Sequence, residues 1–330
     1  MIQLKSARLT LHICEPGEMP NQTFRFDRSG FVSEVILDGS RYFCASEPHC
    51  LVHPSSGGRG FCSEIIFDPS AQVPVGERFP KFGVGNLLKT DDQPYCFHRK
   101  YDAELFPVDW EANENSAVFH TSSIPCHGYG AETEKRITVT DNLMRFEYTM
   151  RNTGSKSFRI REYCHNFISL GGMAIGPDYL LSFPHVEGIP LGDLPDRSGF
   201  VNYLGEDHAV RIRAYSKRAA LIRFEADQIS PDQPFEWSLR NSADGSAVYA
   251  RESFVPSGLA IWSVDHMVSP EVFHDFTLLP GESEFWMREY RFDRPDILLP
   301  SPPGVQSRSS GEETSAGTAG KASAGTAGDN

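Results

Sequence analysis

Apolar and polar residues alternate in short runs along most of the chain, and the runs are separated by Gly, Pro, Asn and Asp. A period of two sends one set of side chains to a core and the other to water, which predicts half-buried β-strands. Residues 134–140 and 143–152 are two such runs joined at Asp141-Asn142, a hairpin signal. The turn Asn152-Thr153-Gly154-Ser155 then delivers the chain into a third run, so three sequential antiparallel strands are expected there. Residues 24–42 read as another hairpin, with 24–26 as one strand, Asp27-Arg28-Ser29-Gly30 as its turn and 31–37 as the next strand. The rhythm resumes at 210–215, 219–224, 235–239, 259–264, 273–278 and 285–292, while 176–208, rich in Pro and Gly, reads as loops and short edges. No amphipathic helical run exceeds about three turns. The pattern predicts an all-β chain built as a large antiparallel β-sandwich. Such sandwiches exceed roughly 200 residues as one domain, so nothing forces a split of the 330 residues.

After Phe292 the alternation stops, and Ser-Ala-Gly-Thr-Ala-Gly at 315–320 recurs at 323–328. This composition buries too little apolar surface to offset chain entropy, so residues 1–300 are expected as one domain and 301–330 as a disordered low-complexity tail.

Composition narrows the function classes. The 23 phenylalanines supply the bulk of a sandwich core. A net charge of −13 argues against nucleic acid or an anionic membrane surface, both of which reward a basic face, and a neutral sugar fits better. The seven cysteines are scattered with no Cys-x-x-Cys pair, the usage of reduced thiols. The start shows no apolar core of signal-peptide length and no window reaches the length of a membrane span, so a soluble cytoplasmic protein is expected, a monomer or homodimer without a cofactor.

Candidate chemistry centres on Arg161-Glu162-Tyr163-Cys164-His165-Asn166, just before the Gly171-Gly172 pair. The two-residue period puts His165 on the face of Arg161 and Tyr163, opposite Glu162 and Cys164, which offers the imidazole to a surface or cleft. His49, Cys50 and His53 form a loop grouping that lacks a third ligand at fixed short spacing, and they read as an ordinary loop. Gly83-Val84-Gly85 has no following Gly-Lys-Ser/Thr and no helix, so it marks a bend and no nucleotide site. Lys81 and Lys89 beside it are candidate donors to a ligand.

Taken together these stretches resemble the galactose-mutarotase-like superfamily, the aldose 1-epimerases and their relatives, from about residue 24 to 292. Tyr95-Cys96-Phe97-His98 resembles the strand that ends in the first substrate-binding histidine, and His127-Gly128-Tyr129-Gly130 the turn before the central hairpin. Tyr163-Cys164-His165-Asn166-Phe167 is similar to the motif that carries the general acid, and Leu279-Pro280-Gly281-Glu282 to the closing turn. The sequence departs from the family at His98, which Arg99-Lys100 follow, and at the early rim, where Glu64 and the 81–89 region stand instead. The base expected near the end of the 259–264 strand has Asp265 and Glu271 as its nearest carboxylates.

Anomer interconversion removes a proton from the C1 hydroxyl and supplies one to the ring oxygen, which asks for an imidazole and a carboxylate on opposite sides of a sugar-sized pocket, each tuned toward neutrality. The resemblance implies His165 as acid, Asp265 as base with Glu271 in reserve, and substrate contacts from His98, Asn166, Lys81, Lys89, Glu64 and His127. Trp262 or Trp110 is a candidate to stack on the sugar. Two other readings stay open: a non-catalytic carbohydrate-binding or sensor protein, and a metal-assisted sugar isomerase or lyase using His98, His127, His165 and His266.

Overall fold

Asn152 ends one strand, and its side chain shows why the next one leaves the sheet. In the computed structural model, which describes residues 1–18, 24–48, 55–215, 217–231 and 234–294, Ala131–Thr140 and Leu143–Asn152 pair in full register across a turn in which Asp141 takes φ 51°. The expectation that the His165 strand extends this meander is corrected. The Asn152 amide donates to Lys156 O (2.9 Å) and Leu278 O (3.0 Å), its Oδ1 accepts from Gly154 N, and the chain turns a corner into the other sheet. Gly281 N donates to Asn152 O and Asn152 N to Glu282 O, so the Pro280-Gly281 turn makes the same crossing alongside. Leu143–Asn152 therefore pairs with Ser283–Asp293, and Phe158–Phe167 with Met267–Leu278.

The nine-stranded antiparallel sheet runs in the order Ile2–Lys5, Leu9–Cys14, Phe31–Leu37, Gly60–Ile66, Phe158–Phe167, Met267–Leu278, Gly258–Val264 and Ala220–Glu225, with Arg41–Tyr42 on Phe31–Leu37. Opposite it stands an eleven-stranded sheet, and Arg78–Lys81, Gly85–Leu88 and Ala103–Leu105 form a small third one. Among the described residues the only helical pieces are the 3-10 turns Ser70–Gln72 and Ala226–Gln228, and no helix is long and apolar enough to cross a membrane. Inward-facing side chains of the two large sheets interdigitate, as where the Phe61 ring meets Tyr290 at 4.8 Å and Phe292 at 5.8 Å between centroids. Each such buried aromatic contributes on the order of 1.5–3 kcal/mol of transfer free energy.

Two local expectations change. Residues 24–26 form no strand. The backbone is instead pinned as a strap: Asp27 N donates to Ser63 O, the Asp27 carboxylate takes the N–H and hydroxyl of Ser29, and buried Lys135 lies 3.7 Å from that carboxylate. Tyr95-Cys96-Phe97-His98 likewise forms no strand, and its last two residues turn. The Gly83 bend is a tight hairpin with φ 80°, where an added Cβ would stand 3.1 Å from the Asp27 Cα. His49, Cys50, His53 and the 301–330 repeat lie outside the described residues.

Candidate functional site

Alternation along Phe158–Phe167 splits its side chains cleanly. Glu162 and Asn166 face the second sheet, where Arg288 and Tyr290 meet them, while Arg161, Tyr163, His165 and Phe167 line the outer face. Register brings the neighbours: Tyr163 lies opposite Glu64 and His165 opposite Cys62. On the other flank the ladder stops at Glu162 opposite His274 and resumes only at the bridge between Ile168 and Val268. Pro270, which has no N–H to donate, falls in that gap, and Glu271 beside it reaches His165.

The result is an imidazole between two carboxylates. His165 Nδ1 lies 2.8 Å from Glu271 Oε1 and Nε2 lies 2.9 Å from Glu64 Oε2, with the ring 2% exposed. Glu64 Oε2 also accepts from Arg25 Nε (2.8 Å) and from the Tyr163 hydroxyl (2.8 Å), and Lys81 Nζ stands 3.8 Å from Oε1. Ser269 donates to Glu271 at 3.2 Å. Burial pulls the His165 pKa down, but Glu271, and the hydrogen bonds to both carboxylates, outweigh it and hold the imidazole above its ordinary value. Burial pushes Glu64 up, yet Arg25, His165 and Lys81 overcome it and keep this carboxyl well below the usual range. Lys81 is lowered by its own burial. The arrangement sets an imidazole whose proton is held more tightly than usual beside a carboxyl that holds its own less tightly, an acid next to an acceptor.

Of the residues singled out in the sequence, His165, Glu271, Glu64 and Lys81 meet here. Trp262 packs at the margin, 6.2 Å from the Phe167 ring that stacks on His165. The others lie elsewhere, each for a local reason. Asp265 sits in the turn after Gly258–Val264, half-exposed, and pairs with His266 at 2.7 Å, so it does not meet His165. Asn166 alternates to the inner face, donating to Pro270 O and accepting from Tyr290. Lys89 is a buried strut whose ammonium caps Ser70 O and Val73 O. His127, at φ 51° in its turn, faces Glu77 at 3.3 Å. His98 is exposed on the 97–98 turn, next to Phe97, and Trp110 is exposed on the Val108–Ala112 strand. Among the described residues no three His, Cys, Asp or Glu side chains gather as metal ligands, and His127, His165 and His266 stand on separate partners.

Sequence reasoning missed Arg25, which no motif marks. Its guanidinium stacks on Phe97 at 4.0 Å and donates to Ser56 Oγ at 3.1 Å, both far from it in the chain. Tyr163 carried a usable signal, since it shares the face of His165 in the 163–167 motif.

The fold that holds this cluster has parallels among solved structures. A galactose mutarotase-like protein from Lactobacillus casei superposes with a TM-score of 0.55 at 14% identity, covering 89% of this chain and 100% of that one. A galactose mutarotase related enzyme from Lactobacillus acidophilus gives 0.55 at 13% identity, covering 88% and 97%. A galactose mutarotase-like protein from Clostridium acetobutylicum gives 0.50 at 10%, covering 88% and 94%. No family model matches the sequence, and no curated protein matches it either. The chain has the galactose mutarotase-like fold, an antiparallel β-sandwich of large sheets.

Proposed function

We propose that this protein is a carbohydrate-active protein that interconverts the anomers of an aldose at the outer face of the nine-stranded sheet. The observation that carries the reading is the hydrogen bonding of both His165 ring nitrogens by carboxylates, Glu64 at 2.9 Å and Glu271 at 2.8 Å. The ring oxygen and the anomeric hydroxyl of a pyranose are bonded to the same carbon. The expectation of an acid and a base on opposite sides of a pocket gives way to an adjacent pair, His165 Nε2 and Glu64 Oε2, which suits two oxygens that share one carbon. In this reading His165 protonates the ring oxygen and Glu64, which despite its burial is held low by Arg25, His165 and Lys81 and so is a weaker base than the neutral tuning first expected, takes the C1 hydroxyl proton. The ring opens to the aldehyde, and the steps reverse after rotation about C1–C2. Glu271 acts through His165, holding Nδ1 and supporting the charged ring. Asp265, placed on His266, has no part in it.

The test is anomer exchange measured by NMR saturation transfer over a panel of aldoses. His165→Gln and Glu64→Gln are expected to lose exchange while still binding sugar. Glu271→Gln is expected to move the alkaline fall in rate to lower pH, because the imidazolium loses a supporting charge. Exchange that survives His165→Gln unchanged overturns the catalytic role. A specific observation favours a second reading, a non-catalytic carbohydrate-binding protein: His165 is 2% exposed and Arg25 already occupies Glu64. Calorimetric sugar binding with no exchange in the unaltered protein would select it.

A further inference from the structure

Arg25 sits on the groups that the proposed reaction would use. Its Nε donates to Glu64, Nη1 donates to Ser56 Oγ, Nη2 lies 3.4 Å from His165 Nε2, and its flat face covers the Phe97 ring at 4.0 Å. A vicinal diol on a pyranose offers the same functions, two hydroxyls to a carboxylate and a hydroxyl, and a C–H face to an aromatic ring. The carboxylate does not depend on Arg25 alone, since Tyr163, His165 and Lys81 also address Glu64. The backbone that follows is fixed: Phe26 packs edge-on to His165 at 5.2 Å, Asp27 N binds Ser63 O, and the Arg28 side chain donates to Phe106 O and Pro16 O. A side chain on a fixed root that bonds to groups with other partners is able to leave by rotation, without unfolding the strap.

We propose that Arg25 is an intramolecular occupant of the His165 site, its guanidinium held in place of a ligand's vicinal hydroxyls, and that a ligand binds only as this side chain swings off Glu64 and Phe97. The identity of the displacing ligand rests on the carbohydrate reading above, whereas the closure does not. The resting site is closed, and the apparent affinity for sugar is lowered by the fraction of molecules in which Arg25 is out.

Two measurements on the full chain test this. In Arg25→Ala, millimolar guanidinium chloride is expected to refill the slot and raise Tm above the value in equal sodium chloride, with no such gain in the unaltered protein. An aldose that binds the unaltered protein is expected to bind Arg25→Ala about tenfold more tightly, with guanidinium as competitor. Absence of the guanidinium effect, or sugar affinity that is unchanged or lost, overturns the proposal. If guanidinium refills the slot and no aldose binds either protein, the occupancy of the slot by Arg25 stands and the carbohydrate reading falls. Should Arg25→Ala not fold, Arg25→Lys keeps a charge on Glu64 without the fork that reaches Ser56, and the same gain in sugar affinity is expected of it.

Discussion

Glu162 and His165 are three residues apart on one strand, and each belongs to a basic group held between two acidic side chains, on opposite faces of the sheet. On the inner face Arg288 Nη2 meets Glu162 at 2.6 Å and Nη1 meets Glu252 at 2.9 Å, with the guanidinium fully buried and Trp237 Nε1 3.3 Å from Glu252. On the outer face His165 meets Glu64 and Glu271. A guanidinium keeps its charge at every accessible pH, whereas an imidazole loses and regains a proton near neutrality. Partners differ as well. Glu162 Oε1 and Arg288 Nε have no hydrogen-bond partner among the described residues, while Glu64 is addressed by Arg25, Tyr163 and Lys81 besides His165. The inner network is a fastener between sheets with no spare contacts, and the outer one is able to exchange one partner for another.

The largest effect expected from this contrast is on the inner side. Arg288→Ala strands two buried carboxylates and should cost about 3–5 kcal/mol in urea unfolding. A loss below about 1 kcal/mol would show that the sheets do not rely on it. His165→Ala should cost less, about 1–3 kcal/mol, because Glu64 keeps three other partners and Glu271 keeps Ser269. Equal losses at the two sites would remove the distinction between fastener and exchangeable cluster.

Stability against pH sharpens the comparison further. Burial pushes the Glu252 carboxyl up to about 7, against the pull of Arg288 and Trp237. A carboxyl that holds its proton longer in the folded state stabilises it below the unfolded value, 4.5, and this contribution is lost as pH rises through about 7. His165 is also raised, by Glu271 against burial, so its contribution is full below 6.5 and is lost as pH rises through its folded value. Glu64 has the opposite sign: held low, it stabilises above 4.5 and that share is lost in acid. A tenfold difference in proton affinity between the folded and unfolded chain is worth about 1.4 kcal/mol. Glu252→Gln should flatten the decline between 4.5 and about 7, and His165→Gln the decline above 6.5, as read from urea midpoints across pH. A decline that survives both changes would place the titrating group elsewhere. The smallest effect belongs to Asp265→Asn, which alters a half-exposed turn pair and should stay within about 0.5 kcal/mol with anomer exchange unaffected. A lost exchange rate in that variant would return Asp265 to the mechanism.

Much of the fold was legible in the sequence because alternation depends only on which residues are apolar. The Asp141 hairpin, the all-β class and the side of the strand that His165 shares with Arg161 follow from a period of two, whereas the open surface or cleft expected around the imidazole is instead filled by Arg25, Phe26 and Phe167. The same signal misassigned 24–26, since Phe24-Arg25-Phe26 alternates like a strand while Asp27 binds Ser29, Ser63 and Lys135 in ways that no pattern of apolarity records.

What a local period determined was the identity of the strands and which side each residue presents, since both are set within a few residues by backbone geometry. Which strands lie beside one another, and so which charges meet, came from the packing of the whole chain. Asn152 sends the chain into the nine-stranded sheet, the ladder gap at Pro270 brings Glu271 to His165 in place of Asp265, and Arg25 is carried over a carboxylate 39 residues away. A hydrogen bond is settled by tenths of an ångström, and that precision comes from register and strap position, which depend on the whole packed chain.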